Sequence, residues 1–388
     1  MKDKILILAA DLEQVLPIAK SLYDKGFEIH GIFSSKLSYG YGSRYIKRKY
    51  IHQNAVEIED YYLFIKSVLQ KERYVSIIPM RDSAAEVMCK YRDDLLQYTA
   101  YVMPDADGFE RGFDKQRLME VCKMHGYPHP ETYIVRNGSL CGLDIEEIRY
   151  PVLIKPNHTF GARGMTLCRN KDELEKKYPI IFNQFGECHL QTYIPEGGHQ
   201  VEVQIYINEK QELVQSSVIK KFRWYPNNGG SSCCNISCKN EKIVDICYKV
   251  LKSIGWVGFA DFDTIEDPRT GELLIMEINP RVPACVKSAF ASGIDWADVI
   301  VGEYLKKSHK VYQMNREVYL RFLGVEVLWF LKSENKWHTK PNWFNFFGKD
   351  IFYQDMSDWT DPMPFIRGTI GNIKKQLSPE FRKSKAGV

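Results

Sequence analysis

The 388-residue sequence predicts an α/β protein whose first part is an open parallel sheet. Residues 4–10 are an apolar run, residues 13–22 have the spacing of an amphipathic helix, and residues 27–33 are predicted to be the next strand. A strand–helix–strand unit of this kind places its two strands parallel, with a right-handed crossover. Residues 75–79 and 101–103 have the composition of later strands in the same sheet.

The turn after the first predicted strand, residues 9–12, contains no glycine. Dinucleotide-binding sheets need glycine there for a tight turn and a close phosphate, so a nicotinamide or flavin enzyme is not expected. Ligands of open α/β sheets still bind beyond the carboxyl ends of the strands. That edge would gather Asp11, Ser34, Ser35, Arg81 and Asp82. Arg81 and Asp82 are candidates for substrate binding; the alternative is that Asp82 or Ser83 only caps the following helix.

A predicted helix over residues 115–124 marks the exit from this first domain. It ends at His125 and Gly126, and two prolines, Pro128 and Pro130, follow. Glycine favours helix ends and proline cannot continue a helix, so the segment indicates a boundary. The first domain is therefore placed at residues 1–112.

A lysine-ended strand and a glycine-containing loop come next. Residues 150–154 lead into Lys155, and the loop of residues 157–164 follows. Gly161 and Gly164 let the N–H groups of this loop turn toward phosphate oxygens. The loop is not a Walker A loop, because the Gly-Lys-Ser/Thr sequence is missing. By itself the loop is weak evidence for phosphate binding. The evidence becomes stronger because a predicted metal site lies further along the chain.

Residues 273–281 predict that site. In a strand, Glu277 and Asn279 point to the same face, and Arg281 lies just beyond the strand end. Hard oxygen ligands beside a cation suit Mg²⁺ and phosphate better than zinc or a haem. The alternative is a polar strand end at a sheet edge.

The preceding strand supports the metal interpretation. It contains Asp261 and Asp263, and residues 266–271 have the composition of a hairpin turn. Folding the hairpin brings an aspartate close to Glu277 and Asn279.

At this point the chain resembles the ATP-grasp superfamily, over about residues 1–305. The segment from Glu277 to Arg281 looks like that family's second metal-binding strand. The resemblance implies that Glu277 and Asn279 hold the Mg²⁺ of Mg-ATP, with Asp263 as the remaining acidic ligand and Asp261 as the substitute. It also implies that Arg281 is a phosphate- or substrate-binding cation near the reacting centre.

The resemblance also implies a nucleotide site. Lys155 would contact the ATP phosphates, and a loop with Thr159, Gly161 and Gly164 would close over them. We expect residues 160–164 to be mobile without nucleotide and ordered with it. Backbone groups of a hinge would bind adenine, and a polar side chain after it would meet the ribose. The hinge is Gln191, Thr192, Tyr193 and Ile194, and the ribose candidates are Glu196, His199 and Gln200.

Two further cations, Lys221 and Arg223, follow a predicted pair of strands. They are candidates for a pocket that binds the substrate carboxylate or the γ-phosphate; a solvated basic face is the alternative. Cys285, near the active end, is expected to pack and not to act as a nucleophile, since no His/Asp set accompanies it.

The expected architecture has three parts: an open parallel-sheet domain at residues 1–112, two α+β lobes clamping Mg-ATP at residues 113–310, and an aromatic-rich extension at residues 311–388. The resemblance implies an ATP-dependent ligase that joins a carboxylate to an amine through an acyl phosphate, with Mg²⁺ as the metal and Mn²⁺ as a substitute. A phosphate-transferring, kinase-like enzyme and a non-catalytic nucleotide-binding regulatory protein remain as alternatives.

Composition limits the partners. The net charge of +4 does not indicate a nucleic-acid binder, and no apolar run is long enough to cross a membrane. Ten cysteines at irregular spacings fit reduced thiols in a cytoplasmic enzyme. The partners expected are therefore a small carboxylate and an amine, with no nucleic acid and no membrane, and with a homodimer as the candidate assembly.

Overall fold

The computed structural model describes residues 2–54, 57–158, 163–225, 231–356 and 358–377. The first part is a parallel sheet in the strand order β3-β2-β1-β4, as the sequence predicts. Its elements are β1 (Lys4–Leu8), α1 (Val15–Asp24), β2 (Glu28–Phe33), α2 (Tyr39–Gly42), β3 (Ile46–Ile51), α3 (Ile58–Lys71), β4 (Ser76–Pro79), α4 (Asp82–Lys90), α5 (Arg92–Leu95) and α6 (Ala106–Phe113).

The continuous apolar run of β1 is explained by burial on both faces. Its residues from Ile5 to Leu8 are fully inaccessible to solvent, as expected for a central strand of a parallel sheet. The predicted strand at residues 101–103 is wrong. Only Ala100 pairs with Ser76, through an isolated bridge, so β4 is the last strand on that side.

The first lobe of the central region has a separate antiparallel sheet with its own small apolar core. The strand order is β5-β8-β6-β7. Its elements, with the helix that leads into it, are α7 (Lys115–His125), β5 (Thr132–Tyr133), β6 (Val152–Pro156), β7 (Thr166–Cys168), α8 (Lys171–Phe185) and β8 (Cys188–Thr192).

The second lobe is built on a seven-stranded sheet in the order β13-β12-β9-β10-β11-β14-β15. Its elements and those that follow are β9 (Gln200–Ile207), β10 (Leu213–Tyr225), β11 (Ser231–Cys238), α9 (Glu241–Ser253), β12 (Gly258–Glu266), β13 (Leu273–Asn279), α10 (Lys287–Ala291), α11 (Trp296–Tyr304), β14 (Tyr319–Arg321), α12 (Leu323–Lys332), β15 (Ile351–Tyr353) and α13 (Met363–Leu377).

The C-terminal extension is continuous with the second lobe. Its strands β14 and β15 add to the seven-stranded sheet beyond β11, so the sheet crosses the predicted boundary at residue 310. The three-domain division itself stays a prediction. Within the described ranges, every helix is too short or too polar to cross a bilayer.

Candidate active site

One face of the seven-stranded sheet brings the predicted metal ligands together. In the antiparallel ladder between β12 and β13, Asp263 lies opposite Glu277 and Asp261 lies opposite Asn279. On the other side of β12, Asp263 lies opposite Glu202 of β9. Directly opposed residues project from the same face of a sheet, so the ladder gathers these side chains as the hairpin argument predicted.

The two aspartates differ in their surroundings. Asp263 Oδ1 accepts a hydrogen bond from Lys221 Nζ at 2.9 Å, and its Oδ2 accepts one from Asn279 Nδ2 at 3.2 Å. Asp261 lies deeper, and burial together with Glu202 raises its pKa well above the ordinary value. Burial would also raise the pKa of Asp263, but Lys221 and Arg281 outweigh it and hold that pKa below the ordinary value. The neighbouring cations therefore favour the charge on Asp263, whereas burial disfavours it on Asp261.

These oxygens fit a magnesium ion in chemical type, since carboxylates and a carboxamide are ligands for a hard cation. The Asn279 amide currently donates to Asp263, while its Oδ1 accepts from Arg281 Nη2 at 3.1 Å. The carboxamide must make a half-turn for its oxygen to join the carboxylates of Asp263 and Glu277.

Two lysines approach this face from other elements. Lys115, the first residue of α7, places its Nζ 3.3 Å from Glu277 Oε2. Lys155 of β6 is buried and donates to Gln191 Oε1 at 2.8 Å. Burial lowers the pKa of Lys155 to about 8, although the Glu277 carboxylate acts in the opposite direction.

Sequence reasoning did not single out Lys115 as a site residue. A signal was available, because a lysine in the first turn of a helix opposes the helix dipole. Such a residue is expected only where an anion compensates it.

Lys221 lies at the centre of the polar face, and its predicted role in binding a substrate carboxylate or the γ-phosphate stays a prediction. Its Nζ is 2.6 Å from Glu202 Oε1 and 2.9 Å from Asp263 Oδ1. The Cys285 thiol donates to the other oxygen of Glu202, and burial raises the pKa of this thiol well above the ordinary value. Cys285 is thus a packed, protonated thiol, and Glu202 is a site residue that the sequence analysis did not identify.

Arg281 joins the metal strand to the first domain. Its Nε lies 3.2 Å from Asp82 Oδ1 and its Nη1 lies 3.8 Å from Asp261 Oδ2. Arg81, half-buried, is the neighbouring residue at the start of α4. The capping alternative for Asp82 or Ser83 is wrong, because no side-chain hydrogen bond caps α4. The edge of the N-terminal sheet therefore forms one side of the same site.

The prediction that Arg223 contacts substrate is not supported. Arg223 is buried away from the polar face, where it and Arg321 both bind the carboxylate of Glu326. Its Nη1 also donates to Thr339 Oγ1 at 3.0 Å and to Pro341 O at 2.6 Å. β10 has a register irregularity between Lys221 and Arg223, so the two side chains have different surroundings.

The predicted adenine hinge lies where β8 ends. The Gln191 side chain bridges Lys155 and Thr132, so it braces the hinge instead of facing a ligand. The N–H groups of Thr192 and Tyr193 donate to backbone carbonyls at 2.8 and 3.0 Å. Among the described residues, none accepts a hydrogen bond from the Ile194 N–H, which is therefore the hinge donor available to a base.

The structure describes only some of the other residues that were predicted to bind the nucleotide. His199 donates its backbone N–H to Glu266 Oε2 at 3.1 Å, and its ring packs edge-on against Phe222. The choice between Glu196, His199 and Gln200 at the ribose stays open. Thr159 and Gly161 lie outside the described residues, as does most of the predicted 160–164 lid. Gly164 lies inside them, and its carbonyl accepts from Thr166 Oγ1 at 3.2 Å.

A second acidic cluster lies near the base of that loop. Ligand atoms of Glu110, Asp114 and His158 come within 4.8 Å of one another. Asp114 and His158 form an ion pair at 3.0 Å, and their hydrogen bond raises the pKa of His158. Because the two charges compensate each other, this cluster is a contact between α7 and the loop that follows β6.

Comparison with known proteins identifies a related ATP-binding domain within this chain. Residues 114–305 match the family model described as "Carbamoyl-phosphate synthase L chain, ATP binding domain". The chain is 27% identical over 243 residues to D-aspartate ligase of Enterococcus faecium, which covers 56% of this chain and 58% of that protein. The chain spans about half the length, or less, of the curated relatives it matches.

Solved structures show the same fold. Biotin carboxylase from Campylobacter jejuni has a TM-score of 0.68 at 18% identity, covering 81% of this chain and 74% of that chain. L-amino acid ligase from Bacillus licheniformis has a TM-score of 0.62 at 13% identity, covering 82% and 79%. The fold is therefore that of the ATP-grasp enzymes, with an N-terminal parallel sheet. Residues 114–305 are similar to an ATP-binding domain of the carbamoyl-phosphate synthase type, which confirms the predicted resemblance to the ATP-grasp superfamily.

Proposed function

We propose that the protein is an ATP-dependent ligase that joins a carboxylate to an amine. One observation carries the proposal: Lys221 and Arg281 lie on the same sheet face as Asp263 and Glu277. Cations for a substrate carboxylate thus stand beside ligands for the metal of Mg-ATP. The similarity to a protein named D-aspartate ligase supports the same reaction class, with an amino-acid carboxylate as the first candidate.

Mg²⁺ would be held by Asp263, Glu277 and Asn279, where it would neutralise phosphate charge. Lys115 and Lys155 would neutralise further phosphate oxygens from the other lobe. Both lysines now have partners, Glu277 and Gln191 respectively, that keep them directed at the cleft. Mn²⁺ would satisfy the same oxygen ligands.

In the proposed reaction, a substrate carboxylate oxygen attacks the γ-phosphorus, the bond to the ADP oxygen breaks, and an acyl phosphate forms. The amine nitrogen then attacks the acyl carbon, phosphate leaves, and the nitrogen loses its proton. The protein's contribution is charge neutralisation and positioning, chiefly from Lys221 and Arg281. Asp82 holds the Arg281 guanidinium in place through its 3.2 Å contact.

We propose that the substrate binds at the carboxyl-end edge of β1 and β4, beside Arg281. Arg81 and Asp82 would supply one wall there. Gln354 Nε2 donates to Glu13 Oε1 at 2.7 Å, so the C-terminal extension closes this side. The sheet-edge position matches the general location of ligands in open α/β folds.

The test is an assay of ADP release with D-aspartate and other amino acids as carboxylates, in the presence of hydroxylamine. An acyl phosphate would be trapped as a hydroxamate. We expect Lys221→Met to reduce hydroxamate formation by ~10² or more, the scale of removing one well-placed electrostatic group. The matched control is Lys220→Met, whose side chain lies on the opposite face of β10. A stable phosphorylated product with no hydroxamate would identify a kinase-like enzyme instead.

A cytoplasmic location and a homodimer are also proposed. The cytoplasmic proposal rests on the ten cysteines, all unpaired and most of them buried. Sedimentation analysis of the purified protein would test the dimer.

A further inference from the structure

The outward face of α13 is apolar. Five side chains recur at intervals of three, four, three and four residues, which is the spacing of a single helical stripe. They are Met363, Ile366, Ile370, Ile373 and Leu377, with 41%, 45%, 43%, 54% and 62% of their surface exposed. A helix on the surface of a protein normally places such a stripe against the core.

The inward face of α13 is fixed by two glycines. A Cβ atom on Gly368 would lie 2.2 Å from the Tyr39 ring, and one on Gly371 would lie 2.1 Å from Leu37 O. Both contacts are too close for any side chain, so these positions require glycine. Asn372 Nδ2 also donates to the Tyr39 hydroxyl at 3.0 Å. The helix therefore cannot rotate to bury its isoleucines without losing this packing.

A second anchor lies just before the helix. Asp361 is buried, and its carboxylate accepts from Ser43 Oγ at 2.7 Å and from Arg44 N at 3.1 Å. Arg367 Nη1 donates to Lys36 O at 3.2 Å. The orientation of α13 on the N-terminal domain is thus set at its start and along its length, and the stripe faces away from the protein.

The charge of the helix limits what can cover the stripe. Residues 363–377 contain Arg367, Lys374 and Lys375 and no aspartate or glutamate. Two copies facing each other through the stripe would bring like charges together, which opposes pairing. An anionic surface would instead be attracted, and a basic amphipathic helix is typical of contact with anionic lipids.

Exposed aromatic residues on the same extension support the same conclusion. Trp359, four residues before the stripe, is 88% exposed, and Phe347 is 87% exposed. Tryptophan is favoured where apolar and aqueous phases meet, because its ring is amphipathic. A fully exposed tryptophan has no such advantage on a surface that contacts only water.

We propose that α13 is a membrane-surface anchor that lies flat in the headgroup region of an anionic phospholipid bilayer. The stripe from Met363 to Leu377 would enter the apolar boundary, and the exposed Lys374, next to the stripe, would bind a lipid phosphate. The expectation of no membrane partner was based on the length needed to cross a bilayer. A helix lying in the interface needs no such length.

The test is co-sedimentation of the full chain with vesicles. One set contains phosphatidylcholine with roughly 30 mol% phosphatidylglycerol, and the other contains phosphatidylcholine alone. We expect the protein to bind the anionic vesicles and to be released by salt, because screening weakens the electrostatic part. The triple variant Ile366→Ser/Ile370→Ser/Ile373→Ser should bind at least about tenfold less.

The matched control is Leu63→Ser/Ile180→Ser/Leu213→Ser, which removes three exposed apolar side chains from other elements. It should bind vesicles as the unmodified chain does. Both triple variants should keep their thermal unfolding midpoint and their Mg-ADP affinity, which shows that folding is unaffected.

Three results would overturn the proposal. The first is failure of the unmodified chain to sediment with anionic vesicles. The second is equal binding by the stripe variant and the control. The third is a dimer of the unmodified chain that the stripe substitutions convert to a monomer, since the stripe would then be a contact between two copies.

Discussion

Lys115 Nζ and Glu277 Oε2 lie 3.3 Å apart, and this contact joins the start of α7 to the metal strand β13. Lys115 directly follows the N-terminal domain, whereas Glu277 belongs to the second lobe. The pair therefore sets a lysine that we propose to bind phosphate against a carboxylate that we propose to bind the metal. Asp114, the residue before Lys115, caps the N-terminus of α7 by accepting a hydrogen bond from Arg117 N. This cap limits the conformational freedom of the Lys115 backbone.

Lys115→Ala should weaken Mg-ADP binding by about tenfold or more, the scale of losing one charge-assisted hydrogen bond. Isothermal titration calorimetry measures the change. Lys123→Ala is the control, because Lys123 is an exposed lysine on the same helix. Equal affinities of the two variants would show that Lys115 is only a partner of Glu277.

Glu277→Gln keeps the size of the side chain and removes the charge proposed to hold Mg²⁺. Turnover should fall by ~10² or more while the protein stays folded. Ile278→Asp, on the opposite and buried face of β13, should instead unfold the domain, because it buries an unpaired charge. Steady-state kinetics and circular dichroism separate the two effects. A folded and fully active Glu277→Gln protein would remove the metal assignment.

The lowered pKa of Lys155, about 8, predicts a pH-dependent nucleotide affinity. Bound phosphate favours the protonated amine, and above pH 8 the nucleotide-free protein loses that proton. Mg-ADP affinity should therefore fall about tenfold between pH 7 and pH 9. Lys155→Arg stays charged over this range, so its affinity should not show the same fall. A flat profile for the unmodified protein would contradict the assignment.

The same shift also affects folding. Because the pKa of Lys155 lies below the ordinary lysine value of 10.5, burying the charged amine destabilises the nucleotide-free protein below pH 8. This cost is relieved as the pH rises from 8 toward 10.5, where the unfolded chain also loses its proton.

Glu326→Gln should destabilise the protein by about 3–5 kcal/mol, because it leaves Arg223 and Arg321 buried without their shared carboxylate. Denaturant unfolding measures the loss. The control is Glu334→Gln, an exposed residue just after α12, which should change the free energy of unfolding by less than about 0.5 kcal/mol. Similar stability of the two variants would mean that the buried triad does not hold the C-terminal extension.

The sequence predicts the β12–β13 hairpin and the N-terminal parallel sheet well because both depend on local patterns. Alternation along β13 places Glu277 and Asn279 on one face, and continuous burial accounts for β1. The roles proposed for the site residues remain predictions. A local pattern cannot give a register change such as the irregularity in β10, and it cannot give the distant Glu326 that binds Arg223.

Contacts between distant segments were the other part that the sequence did not predict. Glu202 reaches Lys221 only because β9 pairs with β10, and Asp82 reaches Arg281 across 199 positions of the chain. The sequence predicts a separate aromatic-rich extension at residues 311–388. In the structure, β14 and β15 join the main sheet. This joining depends on pairing partners that no local sequence pattern specifies.

The central claim is that the cleft binds Mg-ATP and not a dinucleotide. A thermal unfolding experiment tests it most directly, since a ligand that binds only the native state stabilises that state. We predict that ATP with Mg²⁺ raises the unfolding midpoint, that EDTA abolishes most of the increase, and that NAD has no effect. Stabilisation by NAD together with no response to Mg-ATP would contradict the account.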